Sequence, residues 1–272
     1  MRNIVTRSVQ LGVSLMIIGQ ILANASYARV DPGSIVGIWL LDEGDGDVVR
    51  DISGNKNDGK VFGAKWTEGK FGKGLEFDGT SHVRIPPSAA IDNYLDGFTY
   101  LLWVKPLGTP GNVNVRLIER DWHNPTIQIG PADFYGSIIF KGGIDNSAVR
   151  GGTWKLEEWS FVALTFDGTT LRMYVDDKMV KDLKAGKPDF TKAYDGGSVW
   201  LAQWKIDRGW DFTGAMDEVG IFNVALGEDD IKSIRNNGLD KALGILAVSN
   251  GGRLTVAWGY VKSGFRSLLS ER

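Results

Sequence analysis

"SFVALTFDGTTLRMYVDDKMV", residues 160–180, reads as two strands folded back on each other. Asp167-Gly168 marks the turn between them, since Asp and Gly accept the left-handed backbone that tight hairpins need. In the second half Leu171, Met173 and Val175 alternate with Arg172, Tyr174 and Asp176. A period of two puts the first set on one face and the second on the other. "FTYLLWVKP" (98–106) repeats the pattern, with Phe98, Tyr100, Leu102 and Val104 opposite Thr99, Leu101, Trp103 and Lys105. "GSIIF", "GSVWLAQW" and "GAMDEVGIF" add further strands. Several are apolar on both faces, which places them inside a stack of two sheets.

One helix stands out. "ALGEDDIKSIRNNGL" carries Glu228, Asp229 and Asp230 in its first turn, where acids suit the helix dipole, and Gly238 as its stop. Strands and helices do not alternate, and neither G-x-G-x-x-G nor a P-loop occurs, so a nucleotide-binding α/β fold is excluded. The reading is all-β: an antiparallel two-sheet sandwich with one short C-terminal helix.

Composition agrees. The 272 residues hold 36 Gly but 8 Pro, and 11% are aromatic, as many tight turns between aromatic-rich strands require. A formal net charge of −2 without a basic stripe argues against nucleic acid or an anionic membrane as the main partner. With no Cys, disulfides, zinc-thiolate sites and cysteine nucleophiles are out. Arg2 and Arg7 precede "LGVSLMIIGQILA" and the small-residue stretch "ANASYA". That sequence of features predicts a secretory signal peptide over 1–28, cleaved after Ala25 or Ala28. The apolar run is shorter than the ~20 residues of a membrane span. The protein is therefore expected to be secreted or extracytoplasmic, in the periplasm or at the cell surface. Beyond a linker at 29–36, the domain is expected over 37–240. Residues 241–272 form a tail with a possible hairpin at Asn250-Gly251-Gly252.

"GIWLLDEGDGDVVRDISGNKNDGKVFGAKWTEGKFGKGLEFDGTSHVRIP" (37–86) resembles the opening of a laminin-G-like, concanavalin A-type jelly-roll domain of the bacterial kind. The likeness lies in W-x-x-D-E-G, D-x-S-G-N-x-N-x-G, the G-K-F-G-x-x-L-x-F-D-G run and the I-P ending. "FTYLLWVKP", "EWSFVALTFDGTTLRMYVDD", "FTGAMDEVGIFNVAL" and "EDDIKSIRNNGL" continue it in order, over about residues 37 to 240. The resemblance implies a jelly-roll β-sandwich of the lectin and glucanase superfamily, whose members mostly bind glycans or proteins. The sequence departs from the pattern at His82, where an aromatic residue is common, and at Trp204 and Trp210, which enlarge the segment before "GAMDEV".

The loop "DISGNKNDGKVFG" (51–63) offers side-chain oxygens from Asp51, Asn55, Asn57 and Asp58, with Gly54 and Gly59 to bend the chain. Two uses fit. Asp and Asn cap turns by bonding their own backbone, and the same donors suit Ca²⁺, which takes 6–8 oxygens. The resemblance implies a structural calcium near this loop, with Asp217 arriving from a neighbouring strand. The expected ligands are then Asp51, Asn55, Asn57, the Gly59 carbonyl and Asp217.

Catalytic patterns are lacking. Retaining glycosidases need two carboxylates ~5 Å apart. The adjacent pairs Glu157-Glu158 and Asp217-Glu218 point to opposite faces of a strand. The E-x-D-x-x-E of related glucanases is missing, and His82 and His123 belong to no recognisable catalytic motif. His82 reads as a strand-edge residue and His123 as a loop residue. Of the ten Trp, Trp39, Trp103, Trp159 and Trp200 read as core. Trp122 lies in "ERDWHNPT", and Trp204 and Trp210 flank "KIDRG". Indole planes beside planar polar groups are what a sugar ring stacks and bonds to, and rim packing is the plainer use. The expected ligand site is Trp122, His123, Asn124, Trp204, Arg208 and Trp210, on a non-catalytic module that binds an extracellular glycan. A cell-surface protein is the alternative partner, and a glucanase-type hydrolase the distant alternative.

Overall fold

The structure is a computed structural model that describes residues 30–92, 96–111, 113–120, 124–138, 148–186, 196–204 and 209–245. The expected signal peptide and most of the expected tail lie outside these residues. After a 3-10 turn at Pro32–Ser34 come β1 (Ile35–Trp39), β2 (Val48–Val49), β3 (Gly59–Phe62), β4 (Lys65–Glu68), β5 (Lys73–Asp78) and β6 (His82–Ile85). Then follow β7 (Phe98–Pro106), β8 (Val115–Arg120), β9 (Thr126–Ile129), β10 (Phe134–Ser137) and β11 (Ala148–Gly151). The strands end with β12 (Ser160–Phe166), β13 (Thr170–Val175), β14 (Lys178–Lys184), β15 (Val199–Leu201) and β16 (Thr213–Phe222). Two helices close the order, α1 (Glu228–Asn237) and α2 (Leu239–Ala242).

The strands form two antiparallel sheets. Sheet one runs β14-β13-β12-β7-β16-β5-β4, with β1 also paired to β16, and sheet two runs β11-β10-β9-β8-β15-β6-β3-β2. The hairpin predicted at Asp167-Gly168 is β12–β13, with Val162 opposite Val175 and Phe166 opposite Leu171. Gly168 has φ +88°, and the Asp167 carboxylate accepts from the amides of Thr169 and Thr170. β16 borders β5 through Thr213–Met216 and β1 through Val219–Phe222. Its register against β7 shifts between Asp217 and Gly220, where Glu218 adopts φ +54°.

The main core lies between the sheets and contains Trp39, Phe77, Phe98, Tyr100, Phe134 and Phe166. Its fit is tight. A Cβ at Gly136 would come within 2.6 Å of Leu164 Cδ1 and 2.8 Å of Met173 Cε. A second cluster covers the other face of sheet one, where Leu101, Trp103 and Phe161 meet Ile231 and Ile234 of α1. This explains strands that are apolar on both faces: one side meets sheet two, the other meets helix.

The domain limits differ from expectation at both ends. Ile35 and Val36, placed in a linker, are buried residues of β1. Ala242 and Leu243, placed in the tail, are buried in the second cluster, and α2 adds a helix that the sequence pattern did not reveal. Their apolar side chains seal the edge of the helix layer. Among the described residues no helix is long and apolar enough to cross a membrane.

Candidate functional site

The face of sheet two turned away from the core has a continuous order. Val61, Val83, Leu201, Ile118, Ile127, Gly136 and Val149 pair in turn across the strands and belong to the inner side. One position along, Lys60 pairs with Arg84, Arg84 with Trp200, Trp200 with Glu119, Glu119 with Thr126, and Thr126 with Ser137. Alternation puts this whole row on the outer side. Beside it runs a second row, Arg116–Gln128–Tyr135–Arg150. Phe62 and His82 form a third pair.

These rows are polar and in large part shielded. Glu119 and Thr126 are fully buried, and Gln128, Ser137, Arg116 and Trp200 nearly so. Buried polar groups are costly unless paired, and here they pair with one another. Arg116 Nε lies 3.1 Å from Glu119 Oε2, Thr126 Oγ1 donates to that same oxygen, and Gln128 Nε2 donates to Thr126 Oγ1 at 3.2 Å. Arg116 and Glu119 are three residues apart, so strict alternation would send them to opposite faces. A register shift between Arg116 and Ile118 turns both outward.

At the other end of the rows the surface is aromatic. The Phe62 and His82 rings stack with centroids 4.7 Å apart at 18°, and His82 lies 5.2 Å from Trp200. Arg84 sits over the Trp200 indole at 5.6 Å, and Lys60 over Phe62 at 5.7 Å. Trp200 is buried as expected, but on the outer side of sheet two and not between the sheets, and His82 is the middle ring of a run.

Of the expected ligand-site residues, Trp122, His123 and Arg208 lie outside the described residues. Asn124 is buried, and its backbone closes the β8–β9 turn by donating to the Arg120 carbonyl at 3.1 Å. Trp204 is half-buried. Trp210 is 37% exposed. Its carbonyl accepts from Arg116 N at 2.8 Å, and the Arg116 guanidinium lies 5.4 Å from the centre of its ring. Trp210 thus joins the polar rows through Arg116. Beside it, a cavity of about 300 Å³ opens between Gly79, Gly108, Thr109, Asp211, Phe212 and Thr213. Accessible rings such as Phe62 and Trp210 and the exposed Arg84 guanidinium, set on one rigid sheet, can hold a polyhydroxylated ring by stacking and in-plane hydrogen bonds.

The expected calcium ligands serve other ends. Asp51 Oδ1 accepts from Ile38 N (3.0 Å) and Ser53 N (2.9 Å), and its Oδ2 accepts from Asn57 N (2.9 Å). Asn55 Nδ2 donates to the Ile35 and Val36 carbonyls, and Asn57 Nδ2 to Val36 at 2.8 Å. The Asn57 carbonyl takes the Trp39 indole N–H at 2.8 Å. The loop is therefore a clasp that fastens itself to β1. Gly59 lies in β3, where an added Cβ would come within 2.7 Å of Val49 Cγ2.

Asp217 belongs to a separate network. Its Oδ2 accepts from Lys70 N (2.7 Å) and Phe71 N (2.8 Å). Desolvation pushes the Asp217 carboxyl up to about 7 and the Glu218 carboxyl up to about 8, with Asp42 repelling both. In the structure backbone N–H groups hold both Asp51 oxygens and the Asn55 and Asn57 amides donate to carbonyls, so these side chains are engaged without an ion. Among the described residues no three His, Asp or Glu side chains are grouped to hold a metal.

Residues 77–232, more than half of the chain, match the family model described as the concanavalin A-like lectin/glucanases superfamily. The binding domain of Paraclostridial Mosquitocidal Protein 1 superimposes with a TM-score of 0.61 at 13% identity, covering 75% of this chain and 52% of that one. The chain thus spans about half the length of that domain. Domain 4 of AbnA, an extracellular GH43 arabinanase from Geobacillus stearothermophilus solved with arabinotriose, gives a TM-score of 0.58 at 18% identity. That match covers 74% of this chain and 98% of the arabinanase domain. Trypanosoma rangeli sialidase gives 0.60 at 16% identity, over 83% of this chain and 39% of that one. No curated protein matches the sequence. At these identities the structural likenesses speak to fold alone, and they agree with the family match: the chain belongs to the concanavalin A-like lectin/glucanase superfamily.

Proposed function

We propose that the chain is a non-catalytic, exported carbohydrate-binding module that engages a glycan at the accessible Phe62–His82–Arg84 end of sheet two and at its Trp210 rim. The observation that carries this reading is the accessible cluster of rings and cations, in which Phe62, 40% exposed, stacks on His82 and the exposed Arg84 lies over Trp200, with Trp210 37% exposed at the rim. The buried polar groups that pair with one another brace the strands beneath this cluster. The arabinanase domain solved with arabinotriose and the toxin binding domain, both of the same fold, support a recognition role. Among the described residues of these rows Glu119 is the one carboxylate, and it is occupied by Arg116 and Thr126. Two-carboxylate hydrolysis lacks its second partner there.

A glycan array probed with the purified chain tests the proposal. Signals that free oligosaccharide competes away are expected. Saturable binding to a surface protein that no sugar competes with would replace the reading by the adhesion alternative, and turnover of any polysaccharide in a panel would replace it by hydrolysis.

A further inference from the structure

The charged side chains of the outer rows differ in what answers them. Lys60 has Asp47 at 3.6 Å, Arg116 has Glu119 at 3.1 Å, and Arg150 has Asp133 at 2.8 Å. Arg84 has no carboxylate among the described residues. It is exposed, it donates from Nη2 to Ser198 Oγ at 3.1 Å, and its plane rests over the Trp200 indole. A guanidinium carries five N–H donors in a fork matched to a planar anion. The rings of Phe62, His82 and Trp200 lie beside it, and Phe62 is 40% exposed. The chain as a whole carries a formal net charge of −2, so this unanswered cation is not one instance of a general basicity.

Resting on the carbohydrate reading above, we infer that Arg84, held over Trp200 next to the Phe62–His82 stack, selects sugars that bear an acidic group, a carboxylate or a sulfate ester. A ring stacked on the aromatic run directs its acidic substituent at the free donors of the guanidinium. The anion supplies the counter-charge that no described side chain provides.

Affinity electrophoresis of the full chain on two matched pairs tests this: polygalacturonate against its methyl ester, and dextran sulfate against dextran. Within at least one pair the acidic polymer is expected to bind about tenfold tighter than its neutral match. The pair that shows the preference identifies carboxylate or sulfate. Added salt shrinks the preference in the unaltered chain, and Arg84→Gln reduces it to about twofold or less. Arg84→Lys, which keeps the charge and loses the fork, gives an intermediate ratio. Equal binding within both pairs, or an undiminished ratio in Arg84→Gln, overturns the inference while leaving neutral glycan recognition standing. Binding to no polymer and no array glycan overturns both.

Discussion

Arg116 joins two environments, its guanidinium 5.4 Å from the centre of the half-open Trp210 ring and its Nε 3.1 Å from the fully buried Glu119 carboxylate. One side chain thus ties the sheet interior to the rim, and the two ends of this link behave differently under mutation.

Trp210→Ala acts on binding. The ring is 37% exposed and contributes little to the core. Replacing it is expected to weaken glycan binding by about 2 kcal/mol, as for a stacking anchor. Unfolding free energy is expected to stay within about 1 kcal/mol of the parent, the scale of one cation–π contact. Calorimetric titration beside a denaturant melt separates the two effects.

Glu119→Gln acts on stability. The substitution strands the Arg116 guanidinium, whose side chain is 6% exposed, without its counter-charge. A loss of about 3 kcal/mol is expected in urea unfolding. The double change Arg116→Met with Glu119→Leu is expected to recover most of it, because the burial penalty of both ions disappears.

Asp217 and Glu218 set a pH dependence. Burial raises them from 3.8 and 4.5 to about 7 and about 8 in the folded chain. The unfolded chain gives up these protons first, so stability is highest below the unfolded values. It declines as pH climbs towards the folded ones. Thermal midpoints are expected to fall between about pH 4 and about pH 8, and Asp217→Asn with Glu218→Gln flattens that slope.

Asp51→Ala removes the acceptor for the amides of Ile38, Ser53 and Asn57. At about 1 kcal/mol for each hydrogen bond, the cost is about 3 kcal/mol. If the carboxylate works as a clasp, this cost is the same in EDTA as in added calcium. A cost seen with calcium alone would favour the metal reading.

The architecture was legible because burial on both sides of a strand leaves a mark in the residues themselves. The period of two in 160–180 and the Asp167-Gly168 turn are local features, and β12–β13 follows them. The site was less legible. Arg84, Trp200 and Glu119 become neighbours through register between strands far apart in the chain. The shift at Leu117 reverses the facing that alternation assigns to Arg116 and Glu119. Trp200 looked inward because Val199 and Leu201 flank it, yet those two are the inward pair and Trp200 is the one between them. Asp51 had donors suited to a cation, but which partners reach a carboxylate depends on where β1 passes, and the loop sequence does not contain that path.

The pairing of β1 with β16 joins Ile35 to Phe222. Such a contact is among the most non-local the chain makes, and the entropy of closing so long a loop must be met before the pairing gives anything back. During synthesis the first strand waits without its mate until nearly the whole domain has been made. Assembly is therefore a late, concerted event, and the isolated N-terminal half is expected to stay open to proteases and chaperones.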